Sequence, residues 1–105
     1  MIIFIIDFSN SNFLINKINK KNNVFFEGKD GELAYKKIGE ILPDKIFINY
    51  NSKPSHCRQT AQAILKRKKT SHIPIYFVVS NQYELEKVNK LGKVITLDEI
   101  ENYLS

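Results

Sequence analysis

Five short apolar runs, each followed by a stretch of helical periodicity, constrain this chain more than any other feature. The runs are Met1 to Ile6, Val24 to Phe26, Lys45 to Tyr50, Ile73 to Val79 and Val94 to Leu97. The first is continuous and closed by Asp7, the pattern of a strand buried on both faces. Gly28 ends the second, and Ile73-Pro74 starts the fourth. Between them, Ser9 or Ser11 can cap a helix carrying Phe13, Leu14 and Ile18, broken at Asn22-Asn23. Asp30 can cap a second helix with Ala34, Ile38, Ile41 and Leu42 on one face, stopped at Pro43. After a loop from Asn51 to Ser55, Ser55 is placed to cap a third, with Cys57, Ala61, Ile64 and Leu65 inward. Asn81 with Glu84 makes a capping box for a helix through Lys90, stopped at Gly92. Thr96 with Glu99 makes another, for a last helix with Ile100, Tyr103 and Leu104 inward.

Strand and helix thus alternate from end to end. Parallel strands need crossover connections, and those are usually helical, so the expected class is α/β with a doubly wound, five-stranded parallel sheet. Right-handed crossovers leave few arrangements, and the order 2-1-3-4-5 is the common one. At 105 residues the chain suffices for one domain, 1–105. No apolar run reaches the 18 or so residues of a membrane span. The lone Cys57 excludes an internal disulfide and fits a reducing compartment. Met1 to Ile6 is too short for a signal peptide and has no basic leader, so a cytoplasmic location is expected.

In such a sheet, ligands bind beyond the carboxyl ends of the strands, near the switch point between the first and third. Asp7, Asn49 and Ser80 end strands one, three and four, and the loop after strand three adds Asn51, Ser52, Lys53, Ser55, His56 and Arg58. The candidate binding rim is therefore Asp7, Asn49, Asn51, Ser55, His56, Arg58 and Ser80. Ser55, His56 and Arg58 fall in a helix's first turn, where free N–H groups favour an anion. The plainer reading of His56 is a loop histidine bonded to backbone. For Cys57, helix start and neighbouring cations can lower a thiol pKa. Its spacing to Ala61 and Ile64 places it inward, and the arginine a phosphatase loop needs six positions later is replaced by Ala63. A single carboxylate is thin support for a divalent cation. His56, His72 and Cys57 form no zinc spacing, and no glycine-rich phosphate loop occurs. No metal, no cofactor and no catalytic residue is expected.

Charge is the remaining signal. The net charge is +5 and the pI about 9.3. The cations are 14 Lys and 2 Arg in a chain also rich in Ile and Asn, which reads as coding bias, because phosphate-recognising surfaces favour the bidentate Arg. From Lys45 to Tyr83 there is no acid but seven cations, including Lys66-Arg67-Lys68-Lys69, while Glu84, Glu86, Asp98, Glu99 and Glu101 lie beyond. Lys53 with Lys66, Arg67, Lys68 and Lys69 is the candidate basic patch, for docking to an acidic protein or to nucleic acid. The plainer reading is a solvated helix end whose cations suit the dipole.

The segment "GKDGELAYKKIGEILPDKIFIN" resembles the stretch of response-regulator receiver domains, the CheY-like, flavodoxin-like fold, that leads into the phosphoacceptor. "SHIPIYFVVS" resembles their fourth strand with its hydroxyl residue, and the resemblance spans nearly the whole chain. It implies two acids after strand one that help hold Mg²⁺; here Asp7 matches the first and Phe8 stands at the second. The phosphoacceptor aspartate falls on Asn49, and the switch hydroxyl on Ser80. The lysine expected at the end of strand five has no match: Thr96 sits there and Lys93 precedes the strand. An amide is not nucleophilic enough to take a phosphoryl group. The resemblance therefore implies a degenerate pseudo-receiver, a non-phosphorylatable signalling or protein-interaction module with a partner protein and no catalysis. "SKPSHCRQTAQAI" is also similar to a Pro-Ser-His-Gly-Arg segment of receiver-like bacterial proteins of uncharacterised function, with Cys57 at the glycine position. The alternative readings are a basic nucleic-acid-associated protein, or a small anion or ligand sensor at the rim.

Overall fold

The structure, a computed structural model, describes residues 1–18, 22–80 and 88–104. Five parallel strands form one sheet in the order β2-β1-β3-β4-β5: β1 Ile2–Ile6, β2 Val24–Gly28, β3 Lys45–Asn49, β4 Ile75–Val79 and β5 Lys93–Thr96. The helices are α1 Phe13–Lys17, α2 Gly31–Ile41 and α3 Pro54–Lys66, followed by a C-terminal 3₁₀ segment, Leu97–Tyr103. The expected sheet order is the observed one. The helix expected from Asn81 falls mostly on 81–87, outside the described residues; beyond them, Leu91 and Gly92 donate to the Val88 carbonyl in a turn before β5.

The three interior strands, β1, β3 and β4, read as apolar runs because both their faces are covered. One face buries Phe4, Ile6, Ile46, Ile48, Phe77 and Val79 beneath Ala34 and Ile38 of α2 and Cys57, Ala61 and Ile64 of α3. The other buries Ile3, Ile5, Phe47, Val78 and Ile95 against Leu14, Ile18, Ile100 and Leu104. Alternate residues of one strand thus feed two separate cores, as the two-residue period of a strand requires.

Helix ends follow local chemistry, with several departures from the sequence reading. Asp30 caps α2 as expected, accepting from the Glu32 and Leu33 amides at 2.9 and 3.1 Å. Leu42 lies beyond that helix, left-handed at φ 52° and exposed, closing the last turn through its amide to Ile38 before Pro43 prevents continuation. Ser55 does not cap α3. Lys53 takes that place at φ 50°, and Pro54 starts the helix, where its missing N–H costs nothing. Neither Ser9 nor Ser11 caps α1, whose N-cap, Asn12, makes no side-chain capping bond. Asp7 does that work from the end of β1: its Oδ2 accepts the Leu14 amide at 3.0 Å. The Thr96–Glu99 capping box is present, but it opens a 3₁₀ segment, not an α-helix.

Candidate functional site

The carboxyl ends of β1, β3 and β4 meet in a continuous chain of polar bonds. Asp7 is fully buried and Asn49 almost so. Asp7 Oδ1 accepts from the Ser9 amide at 3.0 Å, the Ser9 hydroxyl at 2.6 Å and Asn49 Nδ2 at 3.0 Å. Its other oxygen holds Leu14. Asn49 Oδ1 in turn accepts both the backbone and the side-chain N–H of Asn51 at 3.1 Å. Asn51 Oδ1 then accepts the Ser80 amide at 2.9 Å. Four of the expected rim residues, Asp7, Asn49, Asn51 and Ser80, are thus brought together, and an amide ladder ties three strand ends into one unit. Burial pushes the Asp7 carboxyl up, but the bonds from Ser9, Leu14 and Asn49 outweigh it and hold its pKa below the ordinary aspartate value.

The other three rim residues stand outside this chain of bonds. Arg58 Nη1 donates to the Tyr50 hydroxyl at 2.7 Å, and Tyr50 packs edge-on against Phe77, ring centroids 5.3 Å apart. Ser55 and His56 are exposed, His56 edge-on to Phe8 at 6.4 Å. An open groove of about 730 Å³ lies on that side, between the starts of α2 and α3, lined by Phe8, Lys29, Tyr35, Lys53, His56 and Gln59 among others. The sequence reading did not separate this groove from the rim. Its signal was Phe8, an apolar residue directly after a strand end.

Cys57 is buried, its thiol directed at the carbonyls of Asn49 and Ser52 at 3.4 and 3.3 Å. Burial and then the Asp7 charge push its pKa up to about 12, so at neutral pH it is an inert thiol. The expected basic patch divides. Lys66, Lys68 and Lys69 are exposed at the end of α3, whereas Lys53 is at its start, about 20 Å away for a helix of this length. Arg67 turns inward: Nη1 donates to the Tyr35 carbonyl at 2.7 Å and the guanidinium lies 4.1 Å from the Tyr35 ring centroid. Lys93 does not precede β5 but begins it, at the end away from the rim, its ammonium 5.1 Å from the Tyr103 ring centroid.

The donor set does not fit the Mg²⁺ ion that a receiver site would hold. Asp7, the one carboxylate among the described rim residues, has both oxygens engaged by N–H and O–H donors, and its neighbours Phe8 and Asn49 add no second charge. Mg²⁺ demands near-octahedral oxygen ligation with at least one free carboxylate. Among the described residues no group of three His, Cys, Asp or Glu side chains is placed to hold a metal ion.

The parallel sheet, its strand order and helices on both faces define the class of fold, that of CheY-like receiver domains. The particular likenesses are to solved structures. The chemotaxis protein CheY4 of Vibrio cholerae matches 98% of this chain and 94% of its own, with a TM-score of 0.78 at 13% identity. A second structure of CheY4 gives 0.77 over the same coverage. The N-terminal domain of a response regulator receiver protein from Methanoculleus marisnigri matches 99% of this chain and 96% of its own, with a TM-score of 0.72 at 15% identity. No protein-family model matches the sequence, and no curated protein is similar to it.

Proposed function

We propose that this chain is a receiver-like signalling module that works without phosphorylation, docking on a partner protein and catalysing nothing. The observation that supports this reading most is the Asn49 side chain. It stands at the end of β3, where the receiver resemblance calls for an acceptor aspartate, and its amide donates to the one carboxylate beside it. Phosphoryl transfer to a receiver needs an anionic oxygen to attack phosphorus and a cation to neutralise the charge that develops. Here the attacking group is a neutral amide, and the carboxylate that would hold the cation is committed to four donors from Ser9, Leu14 and Asn49. The same bonds make the rim rigid, as suits a scaffold that presents a constant surface.

The test is incubation with acetyl phosphate and Mg²⁺ followed by intact-mass measurement. The mass should stay constant; a stable gain of one phosphoryl group on an aspartate would overturn the reading. The nucleic-acid alternative is the weaker, because Arg67, the arginine of the cationic run, is spent on Tyr35.

A further inference from the structure

The two edges of the sheet are built differently. β5 is four residues long and begins with the exposed Lys93, a charge of the kind that blunts an edge against pairing. β2, at the opposite edge, is five residues long and reads Val-Phe-Phe-Glu-Gly, without lysine or proline. Val24 is 55% and Phe26 39% exposed. Met1 is exposed next to Val24, whose amide donates to the Met1 carbonyl. The one charge within β2 is Glu27, half-buried, with a carboxylate oxygen turned into the protein and left without a hydrogen-bond partner.

Backbone parity says which groups the edge offers. The Val24 N–H donates to Met1 and the Gly28 carbonyl accepts from Asp7, so both residues turn their polar groups toward β1. In a parallel ladder the N–H and C=O of one residue face the same neighbour and successive residues alternate. Phe26 therefore also bonds inward, and Phe25 and Glu27 turn their N–H and C=O outward, where no strand of the sheet lies. These outward groups sit symmetrically about Phe26. A second β2 laid antiparallel, with a two-fold axis at Phe26, places Phe25 opposite the second copy's Glu27 and Glu27 opposite its Phe25. Each of these is a hydrogen-bonded pair, giving four backbone bonds. Phe26 meets its own copy as a non-hydrogen-bonded pair, where side chains approach most closely. Val24 falls opposite the second copy's Gly28, which leaves room for it. No charge meets its like directly across the pair.

We infer that β2 is a homodimerisation edge, joining two copies of this chain through antiparallel β2–β2 pairing centred on Phe26 into a continuous ten-stranded sheet. The contact is isologous, so it closes at two copies and does not propagate.

The test uses the full chain. Sedimentation equilibrium should give twice the 12.2 kDa chain mass at micromolar to millimolar concentration. Phe26→Lys, and separately Val24→Lys at the more exposed site, should return the mass to that of one chain while the far-UV circular dichroism stays unchanged. Register is read by cross-linking. Phe26→Cys should form an intermolecular disulfide on mild oxidation, because a non-hydrogen-bonded antiparallel pair holds its Cα atoms about 4.5 Å apart. Val24→Cys should not, since its own copy would lie about 14 Å away along the strands. Cys57, buried and with a high pKa, gives no background. A wild-type chain that stays monomeric, a dimer that survives both lysine variants, or disulfide formation through position 24 in preference to 26 would each overturn the inference.

Discussion

The two faces of the sheet are closed in different ways. On one, α2 and α3, 11 and 13 residues long, cover the strands with Ala34, Ile38, Cys57, Ala61 and Ile64. On the other, α1 has five residues and the last element is a seven-residue 3₁₀ segment. Helices that short do not persist alone, because nucleation costs more than a few turns return. That face has an apolar core of its own, with Ile3, Ile5, Phe47, Val78 and Ile95 packed on Leu14, Ile18, Ile100 and Leu104, and adds directional bonds to it. Asp7 takes the Leu14 amide, Asn23 Nδ2 donates to the Leu104 carbonyl at 3.1 Å, and Lys45 Nζ donates to the Tyr103 carbonyl at 2.6 Å. Tyr76 bridges Phe47 at 5.1 Å and Tyr103 at 4.8 Å between ring centroids. The comparison teaches that one sheet can be sealed by long helices on one side and, on the other, by short ones whose apolar packing is reinforced by polar pins. Cavity-forming substitutions should therefore damage the first face most, and removal of single polar groups the second.

The largest expected effect is on the face sealed by long helices. Ile64→Ala deletes a fully buried side chain between α3 and the sheet and should cost about 4 kcal/mol, read as a lowered urea midpoint with the slope unchanged. An equal loss from an alanine at exposed Leu33 would deny the distinction between core and surface on this face.

Next comes the pin at Asp7. Asp7→Ala leaves the Leu14 amide and Asn49 Nδ2 without their acceptor and should cost about 3 kcal/mol. Amide exchange should accelerate most at Leu14 to Lys17 and little in α3. The sign of the pH dependence follows from the shift. Asp7 is held below the ordinary aspartate value, so its contribution is complete above the unfolded value of 3.8 and is lost as pH falls through the lower folded value. The stability gap between wild type and Asp7→Asn should accordingly narrow below about pH 4. A gap that widens there would contradict the assignment.

Asn49→Asp sharpens the comparison at the point where the faces meet. It places a second carboxylate about 3 Å from Asp7 in a buried site, so one of the pair must bind its proton more tightly. A raised pKa contributes stability that is present at low pH and lost as pH rises through the folded value. The variant should lose about 2 kcal/mol at neutral pH and recover toward pH 4. It also restores two carboxylates to the site, so Mg²⁺ should raise the melting temperature of the variant and leave the wild type unmoved.

Much of this was legible in the sequence because it rests on periodicity. The five runs and the Asp30 and Thr96–Glu99 caps depend on residues within a few positions of one another, and the parallel order follows from their alternation with helices. The rest depended on contacts far apart in the chain. Asp7 reads as the end of a strand, and nothing local says that its carboxylate takes the place Ser9 or Ser11 was expected to fill at α1. Arg67 reads as one member of a cationic run, yet Tyr35, 32 residues earlier, draws it inward. Residue type makes Ser55 a cap candidate, yet Pro54 before it fixes a helix start just as well. The rim was found because topology alone dictates where strand ends meet. The groove beside it needed the side chains of Phe8 and Tyr35 to be placed.

The smallest effect should come from Gly39, buried in α2 against the Arg67 guanidinium. A methyl group here would collide with that guanidinium, which is the far end of a flexible side chain and not backbone. Alanine in place of glycine within a helix gains about 0.5–1 kcal/mol. Displacing Arg67 from Tyr35 loses a cation–π contact worth about 0.5–1 kcal/mol together with one hydrogen bond to a carbonyl. The loss exceeds the gain, so Gly39→Ala should lower stability by about 1 kcal/mol, read at the urea midpoint. The informative reading is the double-mutant cycle with Arg67→Ala. If the guanidinium yields as argued, Gly39→Ala becomes stabilising once Arg67 is gone, and the coupling equals the contact that was displaced. A coupling of zero would mean that Arg67 does not join the two helices, and that their face is sealed by apolar area alone.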